Sequence, residues 1–412
     1  MCKGLLLSGL LVLLVGISPA NAASNEKDWT FLTFLNGHNN LDSFGAVNIN
    51  EMEKIGSTKK VDVVVQWASY SAQTTKRLYV VKDSSAEVTS PVVQNMPKVD
   101  MGDYNNLIEF IRWGVQNYPA KHYFVNVWNH GGGWHLQTML RGMGFFGTFG
   151  SDPAIITPSD ISWDEISGHY ITTAELGLAL NEAANIMGHK VDIYGSDACL
   201  MAMPEVASEM GSSVDVFIGS EETEPGLGWP YDGILQGWNA LKNATPAEVA
   251  KVHVKEYLKS YQGGTHGTSQ VTQSAFDMSF LPRVEFAVTE LGKNIIGLSN
   301  EGKSAARAAI ISTLHYNSGE NDYSDILEYV GHMEAANING IRSDVLNQVK
   351  AAVGQFVIAN GVTTKYADSH GLSIWLPNAP ETYDSLVGRY VTLNFDKNTQ
   401  WSKALAELMQ AQ

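Results

Sequence analysis

Five short apolar runs alternate with segments of helical spacing over the first half of the chain, and this alternation limits the fold more than any other feature. The runs are WTFLTFL (29–35), VDVVVQW (61–67), HYFVNVW (122–128), VDIY (191–194) and VDVFIGS (214–220), rich in the β-branched and aromatic residues that suit strands. Between them, Leu41, Phe44, Val47, Ile49, Met52 and Ile55 recur at helical spacing. Residues 107–118 form a second amphipathic pattern entered through Asp103, and 174–187 a third, with Thr172 or Thr173 as cap and Glu175 in its first turn. Strands alternating with helices of this length predict an α/β fold: a mostly parallel sheet sandwiched between helices. Residues 77–82 and 88–93 suggest a small hairpin or edge element. The glycine-rich segment 141–160 matches no element, and loops of that length in compact domains are usually functional or mobile.

From Thr245 the pattern is helical to Tyr261, and the Gly/Thr/Ser/Gln segment 263–270 reads as a linker. Beyond it, further helices surround a late strand, GLSIWLP (371–377), as a mainly helical C-terminal extension. The division expected is a segment 1–22 that is removed, a catalytic domain at 23–269, and a C-terminal domain at 270–412 packed on the catalytic core.

The removed segment is a secretory signal peptide: Lys3, an apolar run over 5–17, and Ala20-Asn21-Ala22 as a small-residue cleavage site. The run is too short for a comfortable membrane span, so a secreted or periplasmic location and no membrane span after cleavage are expected. The formal charge of −16 is spread without long charge runs, which argues against nucleic acid as partner, because backbone binding needs clustered Lys and Arg. It tolerates cationic substrates. Of the two cysteines, Cys2 lies in the signal segment, so Cys199 is the one thiol of the mature chain and has no intramolecular disulfide partner. With 44% hydrophobic residues, stability must come from the size of the core.

Two apolar strands end in reactive side chains, His130 in NHGGGW and Cys199 after the small residues Gly195, Ser196, Asp197 and Ala198. Ligands in open α/β sheets bind outside the carboxyl ends of the strands, so both groups should rise at one edge of the sheet, with the thiol presented rather than packed. A cysteine attacking a carbonyl needs an imidazole to manage protons on the thiol and then on the leaving amine. Gly131, Gly132 and Gly133 offer close-approaching N–H groups to an oxyanion. A helix entered near Pro204 would favour the thiolate if its N-terminus faced Cys199. A metal site from His130, His135 and Cys199 lacks a fourth ligand at recognisable spacing, and no metal is expected. Asp197 lies two residues before Cys199, about 6 to 7 Å away on the same face if strand geometry persists. A carboxylate there raises a thiol pKa, so it makes a poor activator but a sensible binder of a cationic side chain. A turn-forming role is the structural alternative. Glu221, Glu222, Glu224 and Asp232 could add to an acidic pocket.

NHGGGW (129–134), DACLMAMPEVA (197–207), GSEETEPGLGWPYD (219–232) and GLSIWLP (371–377), with WTFLTFLNGHNNLD (29–42) and NEMEKIG (50–56), resemble the clostripain-like cysteine peptidases in the family's order. The resemblance implies a caspase-like fold and an endopeptidase cutting after Arg or Lys. It puts the nucleophile on Cys199 and the acid/base on His130, with the oxyanion at the N–H groups of Gly131 and Cys199. It favours Asp197 as the carboxylate of the primary specificity pocket, with Glu222 and Asp232 as further candidates. Family members can be zymogens cut between the histidine and the cysteine at a basic residue, for which Arg141 is the natural candidate. The family often has an acid where this chain has His38. No cofactor is required, and calcium, needed by some members, finds no calcium loop here. The partners expected are protein or peptide substrates with Arg or Lys, and the chain is expected to act as a monomer. The rival readings are a catalytically idle family member that binds proteins and an acyl transferase using the same thiol chemistry.

Overall fold

The computed structural model describes residues 26–135, 160–316 and 322–411. Its core is one nine-stranded sheet. Strands β1 (Lys27–Gly37), β2 (Val61–Ser69), β5 (Ala120–Trp128), β8 (Val191–Asp197) and β9 (Val214–Gly219) are the five expected runs, and they lie parallel in the order β9-β8-β5-β1-β2. The β3 (Thr74–Tyr79) and β4 (Val92–Met96) strands extend it antiparallel beyond β2, so the expected edge element is a hairpin in the main sheet.

Side chains alternate between the two faces with the period of the pleat. In β1, Trp29, Phe31 and Leu35 enter one core with α1 (Asp42–Glu53), α5 (Tyr231–Ala240) and α6 (Pro246–Tyr261). Leu32 and Phe34 enter the other with α2 (Tyr104–Asn117), α3 (Thr173–Met187), α4 (Pro204–Met210) and the helices of the C-terminal segment. Helix α3 begins with a capping box, Thr172 accepting from the Glu175 N–H while the Glu175 side chain accepts from the Thr172 N–H, which satisfies two otherwise orphaned donors. A mostly parallel sheet covered on both faces is therefore the observed architecture.

Several local expectations differ from the structure. The small residues before Cys199 continue the strand instead of forming a turn, because Gly195, Ser196 and Asp197 pair with Asn126, Val127 and Trp128 of β5. Residues 263–270 are not a free linker: β10 (Gln262–Gly264) and β11 (Gly267–Thr268) make a small hairpin, fixed by the His266 Nε2 contact to Glu51 Oε1 (2.8 Å). Past the hairpin, β12 (Thr272–Asp277) adds antiparallel to β9, and a strand at Val357–Val362 adds to β12, so the C-terminal segment supplies one edge of the main sheet. The late strand is Ser373–Trp375, and it pairs with Tyr323–Asp325 outside that sheet. Arg141 and the proposed signal peptide lie outside the described residues.

Candidate active site

The site is built where β5 and β8 end side by side. Trp128 is in register with Asp197, so the next same-face positions on the two strands are His130 and Cys199. The Asn129 N–H donates to Asp197 O (3.2 Å), continuing the ladder one step past the last formal pair. Gly131 then lies directly against the Cys199 backbone: a Cβ there would sit 2.5 Å from Cys199 O and 3.2 Å from Cys199 N. Only glycine permits that approach. Gly132 N–H is committed to Asp160 O (3.0 Å), which leaves Gly131 as the glycine abutting the Cys199 amide.

The turn carrying the thiol is strained. Leu200, immediately after Cys199, has φ of 64°, and Ser162, whose N–H donates to His130 O (3.3 Å), has φ of 58°. Non-glycine residues in the left-handed region cost of order 1–3 kcal/mol and cluster at functional sites. The four residues between Cys199 and α4 descend without helical structure, held by Leu200 N–H to Glu222 O (3.3 Å) and Ala202 N–H to Ser220 O (3.0 Å).

Cys199 is covered, contrary to the expectation of a presented thiol: it is 8% exposed, and its Sγ accepts the Glu224 N–H at 3.2 Å. The cover comes from the loop after β9, where Glu221–Glu224 cross the thiol on their way to Pro225. Burial pushes the Cys199 pKa up to about 12, reinforced by the Glu224 and Glu222 carboxylates and opposed by the Glu224 amide. A helix-lowered thiolate is thus not what the structure shows. Burial also pushes His130 down to about 4. Near pH 7 both partners are therefore neutral, a thiol beside an imidazole. Nε2 of that imidazole lies 2.7 Å from Asn40 Oδ1.

Beneath the thiol, Asp197 is buried and accepts from Tyr231 Oη (2.6 Å) and, more weakly, from Trp229 N (3.4 Å). Gly228, at φ of 61°, backs onto it, and a Cβ there would lie 2.9 Å from Asp197 Oδ1. Glu224 adds a second buried carboxyl, next to Asp197 and within reach of the Trp229 and Gln273 side chains, with no hydrogen bond of good geometry to either oxygen among the described residues. Burial raises the pKa of both acids, Asp197 to about 7, and their mutual repulsion raises Glu224 further. Glu222 is buried nearby, but accepts from Tyr366 Oη (2.8 Å). Asp232 is not drawn into this set; it binds Lys54 Nζ (2.8 Å). His135, weighed as a metal ligand with His130 and Cys199, instead lies 3.1 Å from Asp322 Oδ2.

The clostripain-family model matches residues 33–407. This chain belongs to the clostripain family. It is a cysteine endopeptidase, a hydrolase acting on peptide substrates, with a caspase-like fold. Clostripain of Hathewaya histolytica is 24% identical to this clostripain-family chain over 431 residues, spanning 89% of this chain and 78% of that protein. A secreted C11 cysteine protease from Bacteroides thetaiotaomicron, solved with an irreversible peptide inhibitor, superposes with a TM-score of 0.67 at 20% identity, over 91% of this chain and 99% of that one. An inactive zymogen C11 protease from Parabacteroides distasonis superposes at 0.66 and 18%, over 91% and 98%. No helix of the described residues is long and apolar enough to cross a membrane.

The parts of this candidate site that sequence reasoning did not isolate are Asn40 and the special position of Glu224. Asn40 sits in the HNNL turn at the end of β1, and its meeting with His130 depends on β1 and β5 being neighbours. Glu224 is one of four acids in a Pro/Gly loop, and composition does not distinguish the one that folds back over the thiol from those that do not.

Proposed function

We propose that this chain is an exported endopeptidase that cleaves after Arg or Lys, with Cys199 as nucleophile and His130 as general acid and base. The observation that carries the reading is the register of β5 and β8, which sets His130 and Cys199 side by side above two buried carboxyls, Asp197 and Glu224, neither of which forms an ion pair among the described residues. Two like charges that close cannot both ionise without a counter-charge. A substrate guanidinium or ammonium entering beside them supplies it, so Asp197 and Glu224, with Glu222 at their margin, form the specificity pocket.

His130 takes the thiol proton as Sγ bonds to the scissile carbonyl carbon, and the carbonyl electron pair moves to oxygen, facing the Gly131 and Cys199 N–H groups. Collapse breaks the C–N bond, and the protonated imidazole gives its proton to the leaving amine. Water, deprotonated by His130, then attacks the thioester and releases the acid and the thiol. No cofactor enters any step, and calcium is not required.

The covered thiol describes a resting form, and uncovering of Cys199 Sγ from the Glu224 amide, with the Glu224 carboxyl kept beside Asp197, accompanies activation, for which cleavage at Arg141 is the trigger. The signal peptide of residues 1–22 directs the protein to the periplasm or medium, where it acts as a monomer.

Matched fluorogenic peptides ending in Arg, Lys, Asp or Leu test the reading, with the mature protein, Cys199→Ala and Asp197→Asn, with and without calcium. Cleavage after Arg or Lys that vanishes in Cys199→Ala and loses its basic preference in Asp197→Asn is expected. No cleavage of any peptide by folded protein, also after prior cutting at Arg141, would overturn it.

A further inference from the structure

We infer that Asn40 is a positioning residue for His130: its Oδ1 fixes the imidazole in the tautomer with the proton on Nε2, leaving Nδ1 as the nitrogen that exchanges protons with Cys199 and the leaving group. The inference rests on the proposed role of His130 as acid and base. Nothing in the function described above requires a third residue, and the contact is not one a surface asparagine makes by default. Asn40 is exposed, and an exposed amide ordinarily samples several rotamers and bonds water.

What holds it is the turn beneath. Asn36 Nδ2 donates to Ser162 Oγ (3.2 Å) and Trp163 O (3.0 Å), and Asn36 Oδ1 accepts the His38 N–H (3.0 Å). Asn39 Nδ2 donates to Trp163 O (2.7 Å), while Asn39 Oδ1 accepts the Leu41 N–H (2.9 Å). His38 Nδ1 lies 2.8 Å from Asp164 Oδ2. Asn36, His38 and Asn39 are all buried and all commit their side chains to shaping residues 36–41, whereas Asn40 commits its own to His130.

The same short strand, β6 (Ile161–Asp164), anchors both partners. It receives the Asn36, His38 and Asn39 side chains, and its Ser162 holds His130 O from a strained backbone. Asn40 and His130 are thus positioned against one common element, which is how a site keeps two side chains in fixed relation.

The chemistry follows from what an amide oxygen can do. Oδ1 only accepts, so Nε2 must donate at 2.7 Å, and a neutral imidazole with its proton there has its lone pair on Nδ1. An amide orients the ring without adding a negative charge, so the imidazole remains neutral and ready to act as base at working pH. Titratable groups on the adjoining elements include Asp160 and Asp164 at β6, the latter bound to His38, Cys199 with Asp197 at the end of β8, and Glu222 and Glu224 on the loop that covers Cys199.

The test compares the mature full-length protein with Asn40→Ala and Asn40→Asp, reading kcat and KM against pH on an Arg peptide amide, thermal unfolding, and the 15N shifts of the His130 imidazole. Expected for Asn40→Ala is a kcat loss of about 10- to 100-fold with KM within about two-fold, little change in unfolding, and loss of the single Nε2-protonated tautomer. Asn40→Asp keeps an acceptor and restores most of the rate, while its carboxylate raises the imidazole pKa and moves the acid limb of the profile upward. Wild-type kcat in folded Asn40→Ala, an unmoved limb in Asn40→Asp, or a wild-type imidazole protonated on Nδ1 overturns the inference. A wild-type protein that cleaves nothing overturns the catalytic reading instead, and the 15N shifts still decide where the proton sits.

Discussion

Replacing Gly131 by alanine tests whether the site depends on the close approach of the two strand ends. The added methyl would lie 2.5 Å from Cys199 O, where ordinary contact begins at 3.4 Å, so a gap of about 0.9 Å must open. The obstacle is backbone on both sides, and Ala198 Cβ, 2.9 Å away, blocks a sideways escape. Neither neighbour is the far end of a flexible side chain. Relief must come from moving the 130–131 segment away from 198–199, which separates the imidazole from the thiol and splits the two N–H groups assigned to the oxyanion. Overpacking of this kind costs about 1–3 kcal/mol of stability, and a displacement near 1 Å at a reacting pair costs about 100-fold in rate. Both are measurable on one preparation, by thermal unfolding and by kcat/KM on an Arg peptide amide. Gly331→Ala, in a helix with nothing within 4 Å of the added methyl, controls for a generic effect of losing a glycine. Wild-type kcat/KM and unfolding temperature in Gly131→Ala would refute the reasoning, because they would mean that the strand ends do not meet as described.

Two further outcomes follow from the buried acids. Glu205 accepts from Trp375 N–H (2.9 Å) and Tyr390 Oη (2.9 Å) through one oxygen, and burial raises its pKa from 4.5 to about 7. The folded value exceeds the unfolded one, so its contribution is full below pH 4.5 and is lost as pH rises through 7. Glu205→Gln keeps the accepting oxygen and removes the titration, so at pH 8 it should be more stable than wild type by up to about 3 kcal/mol, read as a higher unfolding temperature, with little difference at pH 4. Parallel pH dependence of the two proteins would contradict this. Tyr231→Phe removes the 2.6 Å hydrogen bond that opposes the upward shift of Asp197. Asp197 then ionises at still higher pH, and KM for an Arg substrate at pH 7 should rise about ten-fold and recover toward pH 9, with kcat less affected. An unchanged KM at pH 7 would remove Asp197 from the pocket.

The parts of the fold that were legible are those written in local pattern. The 29–35, 61–67, 122–128, 191–194 and 214–220 runs are strands because each is apolar enough to be buried on both faces, and their parallel order follows from the helices between them. Strand ends are also legible, which is why the sequence sets His130 and Cys199 at one edge while leaving their register open. The antiparallel edge was not. Thr272–Asp277 reads TQSAFD, a short mixed segment whose strand character comes from pairing with β9 rather than from its own composition. Contacts between distant segments were equally hidden. Glu224 reaches the thiol only because the loop after β9 folds back over β8, and His266 turns an apparent linker into a docked hairpin by meeting Glu51. The covered thiol shows the same limit: a cysteine at a strand end is exposed or buried according to what crosses it.

The most direct test of the central claim, that Cys199 and His130 act together above an acidic pocket, is to map the adduct formed by a peptidyl chloromethyl ketone ending in Arg against one ending in Asp. Mass spectrometry of the mature protein and of His130→Ala reads both the site and the rate. One adduct on Cys199, formed with the Arg reagent, slow with the Asp reagent and nearly absent in His130→Ala, is the expected result. Equal labelling by both reagents at a rate unaffected by His130→Ala would mean a bystander thiol, and the claim would fail.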